Sequence, residues 1–117
     1  TLTAAADKLR ALADEATPGP WWTERPAARW GEDPDHEVAA SAGTLAVFHE
    51  RGSGLNAAYT AAMHPGVGAA IAVWLERKAR IVGEVQEYLG DQFQDGALDH
   101  DAHDALAVAR QILGGDQ

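Results

Sequence analysis

The densest run of potential ligands is Asp99-His100-Asp101-Ala102-His103-Asp104, where two imidazoles stand three residues apart among carboxylates. At a helix start that spacing puts His100 and His103 one turn apart, and a third ligand from elsewhere would complete a site for zinc or another divalent ion. The local sequence supplies none, and His36, His49 and His64 belong to the other half of the chain. The preferred reading is acidic capping of a surface helix, with His100 and His103 as weak metal candidates and no cofactor expected. Glu84 and Glu87 are three apart, a pair that would hold a divalent ion for pyrophosphate hydrolysis if a second pair faced it. The helix that follows offers no second pair at matching spacing. Ser41 and Ser53 are the only serines, neither stands in a Gly-x-Ser-x-Gly elbow, and Gly66-Val67-Gly68 lacks the lysine and further glycine of a phosphate cradle. No catalytic residue is nominated, and the chain reads as non-enzymatic.

Aromatic residues are a better clue. Trp21, Trp22 and Trp30 fall within ten residues of one another. Neighbours along a strand face opposite ways, so one of Trp21 and Trp22 points into a core and the other toward solvent, a loop or a partner. If Trp21 or Trp22 packs over the start of the long helix near Pro65 and Val67, Tyr59 and His64 become their neighbours. The candidate ligand- or partner-binding set is therefore Trp21, Trp22, Trp30, Tyr59 and His64, with aromatic walls, one titratable group and the positive end of a helix.

Several elements must position those residues. Leu9, Leu12, Ala13 and Ala16 recur at three- and four-residue spacing, and Thr3 is a suitable cap for the helix they define. Thr17-Pro18-Gly19-Pro20 stops it, because two prolines cannot continue a helix and each biases its predecessor toward extended backbone. Trp21 to Glu24 reads as a strand, Gly31 to Asp35 as a loop, and Glu37 to Ala40 with Thr44 to His49 as a hairpin around Ser41-Ala42-Gly43. Arg51-Gly52-Ser53-Gly54 reads as a flexible link before a short alanine-rich helix over Leu55 to Met63. Pro65 then opens the longest element, with Val67, Ile71, Trp74, Leu75, Lys78, Ile81, Val82, Val85, Tyr88 and Leu89 on one stripe. Gly83 within it costs about 1 kcal/mol relative to alanine, which points to a close backbone contact or a bend. A last helix runs from about Asp99 to Leu113, burying Leu106, Ala109, Ile112 and Leu113 and stopped by Gly114-Gly115. These elements make an α+β fold: an N-terminal helix, a small antiparallel sheet of about three strands, then a short helix, a long helix and a C-terminal helix.

Composition bounds the rest. With 117 residues, no cysteine and 46% hydrophobic residues, one small acidic domain over residues 1–117 is expected. The absence of cysteine makes a reducing compartment, the cytoplasm, the expected location, and no apolar stretch approaches the roughly 20 residues that cross a bilayer. A formal charge of −9 repels polyphosphate, so direct binding to nucleic acid is not expected. Glu84, Glu87, Asp91, Asp95, Asp99, Asp101 and Asp104 follow one another without an intervening Lys or Arg. Such a run serves solubility, docks on a basic partner or imitates the charge of DNA.

Leu9-Arg10-Ala11-Leu12-Ala13, Ala16-Thr17-Pro18-Gly19-Pro20-Trp21, Ala57-Ala58-Tyr59-Thr60-Ala61-Ala62-Met63-His64-Pro65-Gly66-Val67, Ala70 to Glu76 and Ala105-Leu106-Ala107-Val108-Ala109-Arg110 resemble small proteins of actinobacteria and their phages. They are similar to the lambdoid Ead-like accessory proteins, with a helix ending in Ala-Thr-Pro-Gly-Pro-Trp, a variable β segment and a Tyr-x-Ala-Ala-x-x-Pro helix. The likeness covers both ends and thins between Thr23 and Ser53, and His64 and Gly66 stand where that pattern more usually has Asn and Ala. It implies a phage or mobile-element origin and an accessory role, and transfers no catalytic residue. The expectation is a non-catalytic accessory protein acting by protein–protein interaction, on a partner that is basic if the acidic charge selects it, or as a homodimer through surplus apolar surface on the long helix. The alternative is a small-ligand or nucleotide-binding protein with its pocket near Trp21, Trp22, Tyr59 and His64.

Overall fold

A computed structural model describes residues 1–25, 35–49, 53–94, 96 and 98–114. Trp30 and most of the expected Gly31 to Asp35 loop lie outside the described residues, as do Arg51 and Gly52. The fold is α+β: α1 (Leu2–Glu15), β1 (Trp22–Glu24), β2 (His36–Ala40), β3 (Gly43–Phe48), α2 (Ser53–Ala62), α3 (Pro65–Leu89), a 3₁₀ turn (Gly90–Gln92) and α4 (His100–Leu113). The three strands form one antiparallel sheet in the order β1-β2-β3. Residues fall into two compact units, one of 1–12 with 69–117 and one of 13–68, called unit 1 and unit 2 below.

Unit 1 is helical. Leu2, Ala5 and Ala6 of α1, Leu75 of α3, and Ala105 and Ala109 of α4 form its buried cluster, with Ile71, Trp74, Ala79, Val82, Leu106, Ile112 and Leu113 packed around it. Most fully buried positions are alanines, which lets helix backbones approach closely while larger side chains fill the flanks. Polar pins fix the ends: Lys8 Nζ donates to the Ile112 carbonyl at 2.9 Å, and Arg10 pairs with Glu76 at 2.9 Å. Asp99 caps α4 by accepting the Ala102 N–H at 2.8 Å, and Gly114 ends it with φ 101°, a left-handed conformation that favours glycine.

Four helix expectations need correction. Thr3 lies inside α1, which starts at Leu2, and the buried stripe of that helix is Leu2, Ala5 and Ala6, with Leu9 half-buried and Leu12 exposed. Ile81 and Tyr88 fall off the buried side of α3, and Tyr88 is 89% exposed. A Cβ added at Gly83 would meet nothing within 4 Å, so no close contact explains that glycine. In α4, Leu106, Ile112 and Leu113 are only half-buried, and the positions fully shielded are Ala102, Ala105 and Ala109.

Unit 2 is the sheet with α2 packed on one face. Its core is Val38, Ala57 and Ala61, flanked by Trp21, Leu45, Ala46 and Phe48. Ser41 and Ala42 make the hairpin turn between paired Ala40 and Gly43, where Gly43 takes φ 127°. A register shift between Val38 and Ala39 leaves Leu45 as the extra residue of β3. This bulge lets consecutive Leu45 and Ala46 both reach the core. Ser53 and Gly54 belong to α2, not to the flexible link expected there. A Cβ at Gly54 would lie 3.0 Å from His36 Nε2, so the glycine admits the imidazole against the helix.

Candidate functional site

The Thr17-Pro18-Gly19-Pro20 stop sets the geometry around Trp21 and His64. Gly19 runs against the His64 ring so closely that a Cβ there would come to 2.6 Å from Nδ1, and one on Gly66 would come to 2.7 Å from Cε1. Two glycines thus accept one imidazole between them. His64 Nδ1 accepts the Gly66 N–H at 3.1 Å, and the His64 carbonyl accepts Val67 N–H at 2.9 Å and Gly68 N–H at 3.3 Å. His64 is therefore the N-cap of α3, with Pro65 at the first helical position, where a missing N–H costs nothing. One ring nitrogen is committed to the fold.

Trp21 and Trp22 separate as strand alternation requires. The Trp21 ring packs on the Val38, Ala57 and Ala61 core, and its Nε1–H donates to the Thr17 carbonyl at 2.9 Å. Trp22 faces the other way, 39% exposed, and its Nε1–H donates to Glu24 Oε1 at 2.8 Å. Tyr59 joins neither. It sits two residues from both Ala57 and Ala61 in α2, which turns it to the opposite side of that helix, where it is 72% exposed. Of the five nominated residues, the structure brings Trp21 to α2 and His64 to the proline turn, and turns Trp22 and Tyr59 outward.

Sequence reasoning missed the face that Tyr59 shares. Leu55 is 79% exposed and Met63, in the turn that continues α2, is 46% exposed. Leu55, Tyr59 and Met63 recur every four residues, so they form one stripe along a helix that contains no charged residue. The spacing was legible. Its direction was not, because Ala57 and Ala61 repeat with the same period and hydropathy alone would bury the larger set. Alanines go inside here because Trp21, Val38 and Phe48 already fill the space between sheet and helix.

In unit 1 the histidine–aspartate run serves the fold. Asp99 is taken by the α4 cap and Asp101 by an ion pair with Lys78. The Lys78 ammonium is held above its ordinary value of 10.5, chiefly by its hydrogen bond to Asp101, with burial acting against this and the charges of Asp101 and Asp99 adding to it. His100 and His103 lie at the α4 start, and among the described residues no group of three or more His, Cys, Asp or Glu is placed to hold a metal ion. A cavity of about 340 Å³ in this unit is walled by Val82, Gly83, Phe93, Leu98 and Leu106 with Arg110 beside them, and none of the nominated residues lines it. In unit 2, His49 Nδ1 lies 2.8 Å from Asp35 Oδ2 beside the sheet. No described helix is long and apolar enough to cross a membrane.

No protein-family model, curated protein or solved structure matches this chain.

Proposed function

We propose that this chain is a non-catalytic binding protein that acts on another protein through the outward face of α2. The observation that supports it is the exposed stripe of Leu55, Tyr59 and Met63 on an uncharged helix in a molecule of formal charge −9. Three large apolar side chains in line on one helix are the usual anchors for a groove on a partner, whereas singly scattered ones carry no such meaning. The occupant is a different protein rather than a second copy. Two copies at −9 each repel, and a partner with a basic rim around an apolar groove gains from the same charge.

Accessory proteins of mobile elements commonly work by such contacts, and the Ala16 to Trp21 and Tyr59 to Pro65 motifs that resemble the Ead-like proteins agree with that role. A phage-type origin and a cytoplasmic setting belong to this reading. The test is a double variant, Leu55→Glu with Met63→Glu. Both side chains are exposed, so far-UV circular dichroism and the melting midpoint should stay close to the parent. Proteins retained by the parent chain from an actinobacterial lysate should be lost from the variant. Retention of the same proteins by both would overturn the reading, and a parent chain that only self-associates would replace it with a homodimer.

A further inference from the structure

Unit 2 carries a second outward surface, the sheet face turned away from α2. Strand alternation places Trp22 and Glu24 of β1, Glu37 and Ala39 of β2, and Thr44 and Val47 of β3 on this side; Ala39 is buried and Glu37 half-buried, while Trp22, Glu24, Thr44 and Val47 are exposed. Two side-chain contacts agree: Trp22 Nε1–H donates to Glu24 at 2.8 Å, and the Thr44 hydroxyl donates to Glu37 Oε2 at 3.4 Å. Trp22 is 39% and Val47 43% exposed. Glu24 and Glu37 are direct cross-strand partners. Like charges set opposite one another destabilise an antiparallel pair. The three strands contain no Lys or Arg that would offset them, and among the described residues of unit 2 the only such cation is Arg25, just beyond β1. The sheet therefore holds two carboxylates side by side at a cost to itself, next to an exposed indole.

We propose that this face docks a cationic segment of a partner protein, with a lysine or arginine head between Glu24 and Glu37 and its stem along Trp22. Each carboxylate is already oriented by one donor and keeps lone pairs for a charged one, which makes the stronger hydrogen bond. An indole face attracts a cation and covers an alkyl stem. The surface is separate from the Leu55–Tyr59–Met63 stripe, since α2 packs on the other side of the sheet, and it stands whether or not that stripe binds.

The experiment uses a labelled dodecapeptide of alternating lysine and valine, titrated by fluorescence anisotropy at low and at physiological salt. The parent chain should bind it, and a peptide with glutamate in place of lysine should not bind. Glu24→Gln with Glu37→Gln should weaken binding about fivefold or more while raising the melting midpoint, because the like-charge pair is gone. Glu84→Gln with Glu87→Gln removes the same charge from α3 and should leave affinity within about twofold. The Leu55→Glu, Met63→Glu variant should bind as the parent does. No binding by the parent, equal weakening by both glutamine pairs, or loss in the α2 variant alone would each overturn the sheet-face proposal. The last outcome would still leave the α2 reading standing.

Discussion

The two units use polar and aromatic side chains for opposite ends. In unit 1 nearly every group that looks chemically promising turns inward to structure: Asp99 caps α4, Asp101 pairs with Lys78, Arg10 pairs with Glu76, and Lys8 reaches the Ile112 carbonyl. Its exposed large apolar residues, Leu12, Val73, Ile81 and Tyr88, are dispersed along α1 and α3 with Arg77, Arg80 and Glu84 among them. Unit 2 buries alanines as unit 1 does, but turns Leu55, Tyr59 and Met63 outward in one uncharged stripe and leaves Trp22 and Val47 exposed on its sheet. A monomer gains nothing from that arrangement, because burying a leucine-sized side chain contributes about 1.5–3 kcal/mol that it forgoes here. On the function proposed above, unit 1 would be scaffold and unit 2 contact surface.

The contrast can be broken in order of expected effect. Leu75→Ala empties the centre of the unit 1 core, where the side chain is fully buried, and should cost roughly 2–5 kcal/mol in urea denaturation. A loss below about 1 kcal/mol would show that the core is looser than its burial implies. Gly19→Ala drives a methyl group into the His64 ring and should cost about 1–3 kcal/mol, with much of it recovered when His64→Ala is added. Equal losses in the single and double variants would place the cause elsewhere. Asp99→Ala removes the α4 cap and should lower stability by about 0.5–2 kcal/mol, most visibly in faster amide exchange over the first turn.

Two smaller effects sharpen the picture of unit 1. Gly83→Ala should stabilise the chain by up to about 1 kcal/mol, since alanine favours the helix and its methyl meets open space. A loss on that substitution would mean the space is occupied. Lys78 is held above its ordinary value, so its contribution to stability is complete below that value and fades as pH rises through the higher folded one. The melting-point gap between the parent and Lys78→Met should accordingly stay constant through neutral pH and close only in strong alkali. A gap that closed at neutral pH would contradict the pairing with Asp101.

How far the sequence foretold this varies with the kind of signal. Backbone punctuation was legible: two prolines after Thr17 end α1, Pro65 opens α3, Gly43 marks the hairpin turn and Gly114 the end of α4, because each rests on a local constraint. Helix faces were harder wherever alanine competes with larger residues. Period-four stripes at Leu55, Tyr59 and Met63 and at Ala57 and Ala61 are equivalent until the volume under the sheet is known. The role of His64 was out of reach for another reason. Its acceptor contact is with Gly66, but the glycine that lets the proline turn close on the ring lies forty-five residues earlier at Gly19. Asp99 and Asp101 were visible as an acidic run, yet their division between a cap and a lysine depends on where α3 lies.

The most direct test sets Tyr59 against Tyr88, two tyrosines on helix surfaces at 72% and 89% exposure. Each would be replaced in turn by a photo-crosslinking phenylalanine analogue and irradiated in a cell lysate. Discrete heterologous adducts from position 59, removed by Leu55→Glu, and none from position 88 are the expected result. The same adducts from both positions, or only products of two copies of this chain, would contradict the assignment of α2 as the partner-binding face.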